Sequence, residues 1–408
     1  SDENPASGDD SASDDDTERA TDAESVIDGR WRDRLPADGT AVERPVVSLS
    51  DPHLFLHTGG STGTPKETVI PHRSIYWNSF NTITAWGLRP DDTTPMTFPM
   101  FHTGGWNVIT VPLFHLGGTV VIAREVDPGE TLRLIDERDA TLLIAVPAVL
   151  RAMADHDRWA DTSLDSLRFV KSGGGPARSA TMEAWWDRDV ELSQGYGLTE
   201  CGPNNFAMPD GWDRAKSDAV GVPAPHVDAR IVDDDGRELP PGEIGELELS
   251  GPHAADRYWQ RPTESRATFG PTAADASDDS TADAASWVST GDLARVDGDG
   301  YYHVEGRKKN MFTSGGENVY PPEVEDAITD HPDVDEAVVI GVPDDRWGTV
   351  GKAVVAGADT LTLDALREFL DGRLARFKHP RALAHTDAIP TSGPSKIDRE
   401  AVERAFGE

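Results

Sequence analysis

Cysteine, lysine and long apolar runs are the scarcest features of this sequence. Cys201 is the only cysteine, so the chain forms no internal disulfide and builds no cysteine-rich metal site. No stretch approaches the roughly 18 consecutive apolar residues of a membrane-spanning helix, and no basic segment followed by an apolar one resembles a secretion signal. We therefore expect a cytoplasmic protein without a membrane span.

Positive charge is the next scarce property. Lys and Arg number 38 against 73 Asp and Glu, a net charge of −35, and only eight of the 38 are Lys. Nucleic acid is not an expected partner, because phosphate binding needs a basic surface. The acidity indicates either a solvated acidic shell suited to high salt, the interpretation we favour, or an acidic interaction surface. The acidic-shell interpretation predicts that stability and activity rise with molar KCl.

The 408 residues suffice for two domains. Residues 1–30 are rich in Asp and poor in apolar residues, which predicts a disordered acidic tail. Residues 31–309 are expected to form a large domain that carries an acidic insertion at 272–286. Residues 310–408 are expected to form a small C-terminal domain.

Strands and helices alternate through the large domain. Apolar runs at Thr119–Ala123 and Ala140–Val146 predict strands, and helical patterns follow each of them. This alternation indicates an α/β fold with mainly parallel sheets flanked by helices. After about residue 311 the order is helix (Pro322–Thr329), two strands, helix (Leu363–Ala375), a short strand or loop, and a final helix, which predicts a small α+β module.

The first segment that suggests chemistry is Thr58–Lys66, after a predicted strand. Its glycines and hydroxyl residues could wrap an oxyanion with backbone N–H groups, and its lysine adds a point charge. The spacing is not that of the P-loop, and an ordinary glycine-rich turn remains the alternative. The residues concerned are Thr58, Gly59, Gly60, Ser61, Thr62, Gly63 and Lys66.

Two further segments follow predicted strands. The three glycines of Ser172–Pro176 would let a flat ring approach the backbone, although a plain tight turn explains them equally well. Gln194–Glu200 combines an aromatic ring, a hydroxyl and a carboxylate, and a carboxylate oxygen suits Mg²⁺. A structural loop with a buried tyrosine is the alternative for this second segment.

The last two segments are charged. Asp292 is suited to accept hydrogen bonds from ribose hydroxyls, and Arg307 to bridge hydroxyl and phosphate. Lys396 lies near the C-terminus, where a small domain could carry it into a site on the large one. Half of the eight lysines fall within these segments, namely Lys66, Lys308, Lys309 and Lys396.

Taken in order from about Leu54 to Arg399, these segments resemble the adenylate-forming superfamily of acyl-CoA synthetases, peptide-synthetase adenylation domains and luciferases. The resemblance implies an enzyme that uses ATP and Mg²⁺ to convert a carboxylic acid into an acyl-adenylate. It further implies that the acyl group passes to coenzyme A. The small domain would rotate between the two half-reactions.

The resemblance also implies residue roles. Thr58–Lys66 would hold the phosphates, Thr199 would contact the α-phosphate, and Glu200 would hold Mg²⁺. Lys396 would bridge the carboxylate and the α-phosphate, and Asp292 and Arg307 would bind the ribose. The adenine would lie among Gly174, Gly175, Pro176, Gln194, Gly195, Tyr196 and Gly197.

The family's gate between the acyl pocket and the coenzyme A tunnel corresponds to His102, for which a core histidine is the alternative. Trp106 and Asn107 are candidates for the wall of the acyl pocket. Asn310 corresponds to the hinge between the domains. The coenzyme A tunnel would be bordered by Ser314, Gly315, Gly316 and Glu317.

The sequence departs from the family pattern at Glu67 and Ser395, where the family usually has glycine, and in the motif Asp256-Arg257-Tyr258, where a Gly-Tyr pair is expected. Family members also carry a further subdomain ahead of the phosphate loop, so part of the N-terminal region is expected to be missing here. A ligase that loads a separate carrier protein and a degenerate nucleotide-binding paralogue remain alternatives. The carboxylic acid and the oligomeric state stay open.

Overall fold

The computed structural model describes residues 45–58, 66–270, 286–392 and 396–408, of which those from Ser48 onward belong to one compact unit. The predicted tail at 1–30 and almost all of the insertion at 272–286 lie outside the described residues. So do positions 59–63 of the phosphate loop and Ser395, and only the backbone of Lys396 is described.

The central layer is parallel and flanked by helices, which confirms the predicted α/β class. Strands β5, β6 and β7 form one parallel sheet, and β3 pairs with β4 in another. Leu143, Val170 and Leu192 of the larger sheet are fully buried against Leu150 and Trp185 of the helices. The elements are β3 (Thr93–Pro95), β4 (Thr119–Val121), β5 (Leu142–Ala145), β6 (Phe169–Ser172), β7 (Leu192–Gln194), α3 (Pro128–Glu137), α4 (Pro147–Ala154) and α5 (Ser179–Trp186).

The expectation of mainly parallel sheets holds only for this layer, because the remaining sheets before residue 308 are antiparallel. A four-stranded sheet has the order β10–β11–β13–β14, and a three-stranded one the order β1–β2–β12. These strands are β1 (Pro52–His57), β2 (Glu67–Pro71), β8 (Phe206–Ala207), β9 (Val222–Pro223), β10 (Asp228–Val232), β11 (Gly245–Ser250), β12 (Arg257–Tyr258), β13 (Val288–Val296) and β14 (Tyr302–Arg307), with helix α6 at Pro262–Phe269.

Helix α1 (His72–Ala85) inverts the usual amphipathic pattern. Its buried face is largely polar, with Ser74, Asn78 and Thr82 at most 3% exposed, whereas Tyr76 and Phe80 are more than 40% exposed. A helix of this kind is held by hydrogen bonds across its polar face rather than by an apolar stripe. That face packs against a π-helical turn at Gly104–Val108, which helix α2 (Thr110–Leu116) follows.

The residues after Asn310 form a five-stranded mixed sheet with helices packed on it. The helix expected at 363–375 ends at Leu370, because Asp371 is extended and Gly372 takes a φ of +82°. The boundary at Lys309–Asn310 stays a prediction. The elements are β15 (Phe312–Ser314), β16 (Glu317–Val319), β17 (Glu336–Asp344), β18 (Gly348–Ala356), β19 (Ala382–Thr386), β20 (Thr391–Ser392), β21 (Lys396–Ile397), α7 (Pro321–Thr329), α8 (Leu363–Leu370) and α9 (Arg399–Phe406).

Within the described ranges, no helix has the length and apolar character needed to cross a bilayer.

Candidate active site

The glycine turn predicted to lie against the adenine follows β6 and borders the end of β7. Gly173 N–H donates to Ala145 O at 3.0 Å, and Gly195 N–H donates to Ser172 O at 2.7 Å, so both turns are anchored to the parallel sheet. Gly174 has a φ of +88°, which favours glycine. A Cβ built on Gly175 would meet no described atom within 4 Å. The turn therefore presents bare backbone on which a planar group could lie.

Gln194 ties this turn to the next loop. Its side-chain oxygen accepts from Ala177 N–H at 3.1 Å, and its amide nitrogen donates to Ser217 O at 2.8 Å. Gly197 lies so close to Pro203 that a Cβ would come within 2.1 Å of its carbonyl oxygen. The segment that carries Tyr196 is thus held on both sides.

Tyr196, Asp292 and Arg307, which are far apart in sequence, meet in one network. The Tyr196 hydroxyl donates to Asp292 Oδ2 at 2.6 Å, and Arg307 Nε lies 2.9 Å from Asp292 Oδ1. Asp292 and Arg307 face each other on β13 and β14, and Arg307 Nη1 also donates to Thr290 O at 3.0 Å. Burial and the nearby Asp292 charge raise the pKa of Tyr196 well above its usual value, so its hydroxyl remains a donor.

A second network joins Lys66, Tyr258 and Glu200. The Tyr258 hydroxyl donates to Glu200 Oε1 at 2.6 Å, and Lys66 Nζ lies 4.6 Å from the centre of the Tyr258 ring. Burial, followed by the Glu200 charge, raises the pKa of Tyr258 far above its usual value. Sequence reasoning considered Tyr258 only as part of a motif that departs from the family pattern, and did not pair it with Glu200.

Asp256, two residues before Tyr258 in the same motif, is anchored to helix α1. Its carboxylate forms an ion pair with Arg73, and Arg73 Nη1 also donates to Pro252 O at 3.0 Å and Ala254 O at 2.9 Å. The ion pair therefore ties α1 to the segment that leads into Tyr258.

Glu200 is the predicted Mg²⁺ ligand, and its surroundings fit that ion. It lies on the 3-10 turn Thr199–Cys201, beside a hydroxyl residue. Among the described residues there is no cluster of three or more His, Cys, Asp or Glu side chains that could hold a metal. Mg²⁺ needs no such cluster, because it is commonly held by one or two carboxylates, water and substrate phosphates.

His102 lies at the start of the π-helical turn and is exposed. Its Nδ1 accepts from Gly104 N–H at 3.0 Å, and Thr110 Oγ1 donates to Gly105 O at 2.7 Å, so hydrogen bonds hold the turn at both ends. Trp106 packs against the core beneath the site, and Asn107 is 2% exposed. Such turns within helical segments recur at functional sites.

The predicted hinge and coenzyme A segments lie on either side of one strand. Asn310 ends a 3-10 turn that begins at Lys308, and Lys308 Nζ lies 2.8 Å from Asp234 and 3.0 Å from Glu246. Ser314 and Glu317 pair across the hairpin β15–β16. Gly315 and Gly316 make its turn with φ of +62° and +92°.

One contact joins the parallel layer to the C-terminal region. Arg151 Nη1 donates to Asp335 O at 2.9 Å, and Arg178 Nη2 donates to the same carbonyl oxygen at 2.5 Å. Asp326 is close by, and its pKa is raised to about 7 by burial, by Glu325 and by Asp330, against the influence of Arg178. Arg178 lies two residues after Pro176, so this contact adjoins the glycine turn.

Comparisons with known proteins identify the family of the chain. Residues 3–259 match the family described as AMP-binding enzyme, and residues 323–396 match the AMP-binding enzyme C-terminal domain. A feruloyl-CoA synthase from Amycolatopsis sp is 38% identical over 88% of this chain and 71% of the relative. An indoleacetate–CoA ligase from Aromatoleum aromaticum is 36% identical over 91% of this chain and 70% of the relative.

The fold of a solved relative matches as well. The crystal structure of ATP-bound MatB from Rhodopseudomonas palustris superimposes with a TM-score of 0.82 at 29% identity, covering 93% of this chain and 72% of that protein. Because a family model matches more than half of the chain and close relatives match most of it, the chain belongs to the adenylate-forming AMP-binding enzymes.

Proposed function

We propose that this chain joins aromatic carboxylic acids to coenzyme A. The chain is an ATP-dependent acid–CoA ligase that forms AMP, and ATP and coenzyme A are its co-substrates. The aromatic class is our inference. It rests on the two relatives above, which act on ferulate and indoleacetate and are 38% and 36% identical to the chain.

In the first half-reaction, a carboxylate oxygen of the acid attacks the α-phosphorus of ATP, and the bond to pyrophosphate breaks. We assign the phosphates to Thr58–Lys66 and Thr199, and the ribose hydroxyls to Asp292. Lys396 would neutralise the charge that accumulates as one anion attacks another, an effect commonly worth roughly 3–4 kcal/mol of barrier. Mg²⁺, held by Glu200 and the phosphates, would screen the negative charge of ATP.

In the second half-reaction, the sulfur of coenzyme A attacks the acyl carbon and AMP leaves. We assign His102 to the gate through which the thiol enters, and Trp106 and Asn107 to the acyl pocket. The small domain would turn about Asn310 so that Ser314–Glu317 replaces Lys396 at the site. The networks around Asp292 and Glu200 draw the partners named above from residues before the predicted hinge at Asn310, so these contacts would survive such a rotation.

Two further properties belong to this proposal. The charge of −35 supports a protein adapted to high salt, in which cations screen the acidic surface. A cytoplasmic location remains the prediction made from the sequence. Fatty acids, which the sequence left open, are the competing substrate class.

The test is pyrophosphate release by the purified chain in molar KCl, with ATP, Mg²⁺ and a panel of aromatic and aliphatic acids. Each acid is assayed with coenzyme A, with a carrier protein, and with neither. Release that depends on aromatic acids and is accelerated by coenzyme A supports the proposal.

The Lys396→Ala variant should abolish pyrophosphate release yet still convert supplied acyl-adenylate to thioester. Equal loss of both steps would contradict the role given to Lys396, and turnover of fatty acids alone would overturn the aromatic class.

A further inference from the structure

A small cavity lies where helix α1, the turn Gly104–Val108 and the turn Thr199–Cys201 meet. We propose that this cavity binds a hydrogen-bond donor on the acyl substrate, so that the enzyme selects aromatic acids that carry a hydroxyl or N–H group. This inference rests on the proposed function, since it assigns the acid. The polar residues that line the cavity are Ser74, Asn78, Asn107, Thr199 and His253.

Asn78 provides the main acceptor. It is 3% exposed, and its Nδ2 donates to Asn107 O at 2.8 Å. Because a backbone carbonyl can only accept, this bond fixes the amide with Oδ1 on the other side. Among the residues described, Oδ1 has no hydrogen-bond partner. It lies directly over Gly202, where a Cβ would come within 2.7 Å of it.

Asn107 provides a second acceptor. It is 2% exposed, and its Nδ2 donates to Thr103 Oγ1 at 3.1 Å. Its Oδ1 likewise has no hydrogen-bond partner within the described ranges. Buried side-chain oxygens are usually satisfied, so two acceptors without partners on one cavity require an explanation. A hydrogen-bond donor on a bound substrate would pair with both oxygens and so explains them.

The other polar groups also favour a donor over an anion. The Ser74 hydroxyl already donates to Ala254 O at 2.6 Å, so it offers the cavity only its lone pairs. Burial lowers the pKa of His253 to about 4, so this ring is uncharged at neutral pH and carries one N–H donor and one acceptor nitrogen. Among the residues that the structure describes, no Lys or Arg lines the cavity. An anionic substituent would therefore meet acceptors without a counter-charge, whereas a hydroxyl or N–H group would be bound.

Thr199 connects the cavity to the chemistry. This residue lines the cavity and is also the one assigned to the α-phosphate. A donor held by Asn78 would therefore lie near the activated carboxyl group and would orient the acid for attack. A site that hydrogen-bonds such a group discriminates strongly against the analogue that lacks it, because its own polar atoms are then left unpaired.

The experiment compares hydroxy- and amino-substituted benzoic and cinnamic acids with their methyl-substituted and unsubstituted counterparts, position by position. The measurement is the ratio of kcat/KM for each donor-bearing acid to that of its counterpart. We expect a ratio above about 10 for at least one position in the natural enzyme, falling to near one in Asn78→Leu. Since both rates come from the same preparation, a general loss of activity does not change the ratio.

Asn81→Leu is the matched control. Asn81 is buried one turn along the same helix, but its Oδ1 already accepts from His226 N–H at 3.1 Å. This variant should keep the ratio of the natural enzyme. Asn107→Leu is the second test variant if Asn78→Leu does not fold. A ratio near one at every position in the natural enzyme would overturn the inference.

Binding separates this inference from the proposed function. Non-hydrolysable acyl-sulfamoyl adenosines of the same acid pairs report affinity without turnover. A preference for donor-bearing analogues in binding, with no pyrophosphate release from any acid, would support the cavity and contradict the ligase. Pyrophosphate release together with equal affinity for both analogues of every pair would support the ligase function and contradict the role proposed for the cavity.

Discussion

The Tyr196 hydroxyl donates to Asp292 Oδ2 at 2.6 Å, although the two residues are 96 positions apart in the sequence. Arg307 lies 2.9 Å from the other oxygen of the same carboxylate. Asp292 is 5% exposed, and both neighbours stabilise its buried charge. A ribose bound to Asp292 would therefore meet a carboxylate that is already oriented, which lowers the entropy cost of binding.

Removing the Tyr196 hydroxyl should weaken nucleotide binding. In Tyr196→Phe the ring is kept but Asp292 loses a hydrogen bond, and bonds to charged groups contribute about 1.5–3 kcal/mol. We expect KM for ATP to rise roughly tenfold or more, while KM for the acid changes little. Steady-state kinetics with ATP and acid varied separately measure both.

Tyr302→Phe is the matched control, because that hydroxyl donates to Ala229 O at 2.9 Å within the same four-stranded sheet and not to Asp292. It should lower stability and leave KM for ATP unchanged. A Tyr196→Phe enzyme with the ATP dependence of the natural one would show that the hydroxyl does not position Asp292.

The bond between Tyr258 and Glu200 makes a separate prediction about magnesium. Tyr258→Phe keeps the ring beneath Lys66 but frees Glu200 Oε1, to which the hydroxyl donates at 2.6 Å. Glu200 then samples more positions, and residues that orient a metal ligand typically contribute 10- to 100-fold in affinity or activity. We expect the Mg²⁺ concentration for half-maximal activity to rise by about tenfold.

Titration of activity with Mg²⁺ at saturating ATP tests this. Tyr301→Phe serves as the control, since that residue directly precedes β14 and the centre of its ring lies 5.3 Å from Lys216 Nζ rather than beside Glu200. If Tyr258→Phe and Tyr301→Phe required the same Mg²⁺ concentration, Glu200 would not depend on Tyr258.

Local motifs carried most of what the sequence could predict. Each of these motifs is short and could be identified without knowing which residues contact it in the fold. They are the glycine turn, the Gln194–Glu200 segment, and the charged residues Asp292 and Arg307. The pair of Tyr258 and Glu200 could not, because 58 residues separate them and they meet only in the folded chain, where Ala255 N–H also donates to Glu200 O at 2.8 Å. A tyrosine near an insertion carries no signal of a carboxylate partner.

Helix α1 shows a different limit of sequence reasoning. Buried polar and exposed aromatic residues are the reverse of the pattern from which a core face is inferred. Asn78 would be taken as a surface residue from its type alone. It is buried because the Gly104–Val108 turn presents the Asn107 carbonyl to it, and nothing in either segment predicts that contact.

The contact of Arg178 with Asp335 should restrain the C-terminal region. Both Arg178 and Arg151 donate to one carbonyl oxygen, an arrangement that binds without an ion pair and can be released. In Arg178→Ala we expect cleavage by a lysine-specific protease at Lys308 or Lys309 to become several times faster. These two residues form the turn at the predicted hinge.

Arg188→Ala provides the comparison, because Arg188 also donates to backbone carbonyls, those of Trp159 and Thr162, but within the parallel layer. It should lower the melting temperature without accelerating cleavage at the hinge. Cleavage rates that are unchanged in Arg178→Ala would mean that this contact does not hold the region.

The net charge of −35 predicts a specific salt dependence. Screening shortens the Debye length from about 10 Å at 0.1 M to about 3 Å at 1 M, so most of the relief from self-repulsion comes below about 1 M. The melting temperature should rise steeply with KCl over this range and then flatten. Sucrose, which is uncharged, should give a shallow rise without the plateau. Full stability and activity in a low-salt buffer would contradict the acidic-shell interpretation.

Two buried histidines should give the stability opposite dependences on pH. Burial lowers the pKa of His303, but its hydrogen bonds to Asp218 and Asp297, at 2.8 and 3.2 Å, outweigh this and raise the pKa above 6.5. The folded state then binds more protons than the unfolded one above pH 6.5. The stability that His303 contributes is complete below 6.5 and is lost as the pH rises through the folded pKa.

His253 has the reverse sign, because burial lowers its pKa to about 4. Between pH 4 and 6.5 the unfolded state binds the extra proton, so stability rises with pH across that window and is complete above it. The free energy of unfolding, measured in urea at a series of pH values, should no longer decline above pH 6.5 in His303→Gln. In His253→Gln it should no longer rise between pH 4 and 6.5. Each variant is the control for the other. If both removed the same part of the profile, the pH dependence would come from other groups.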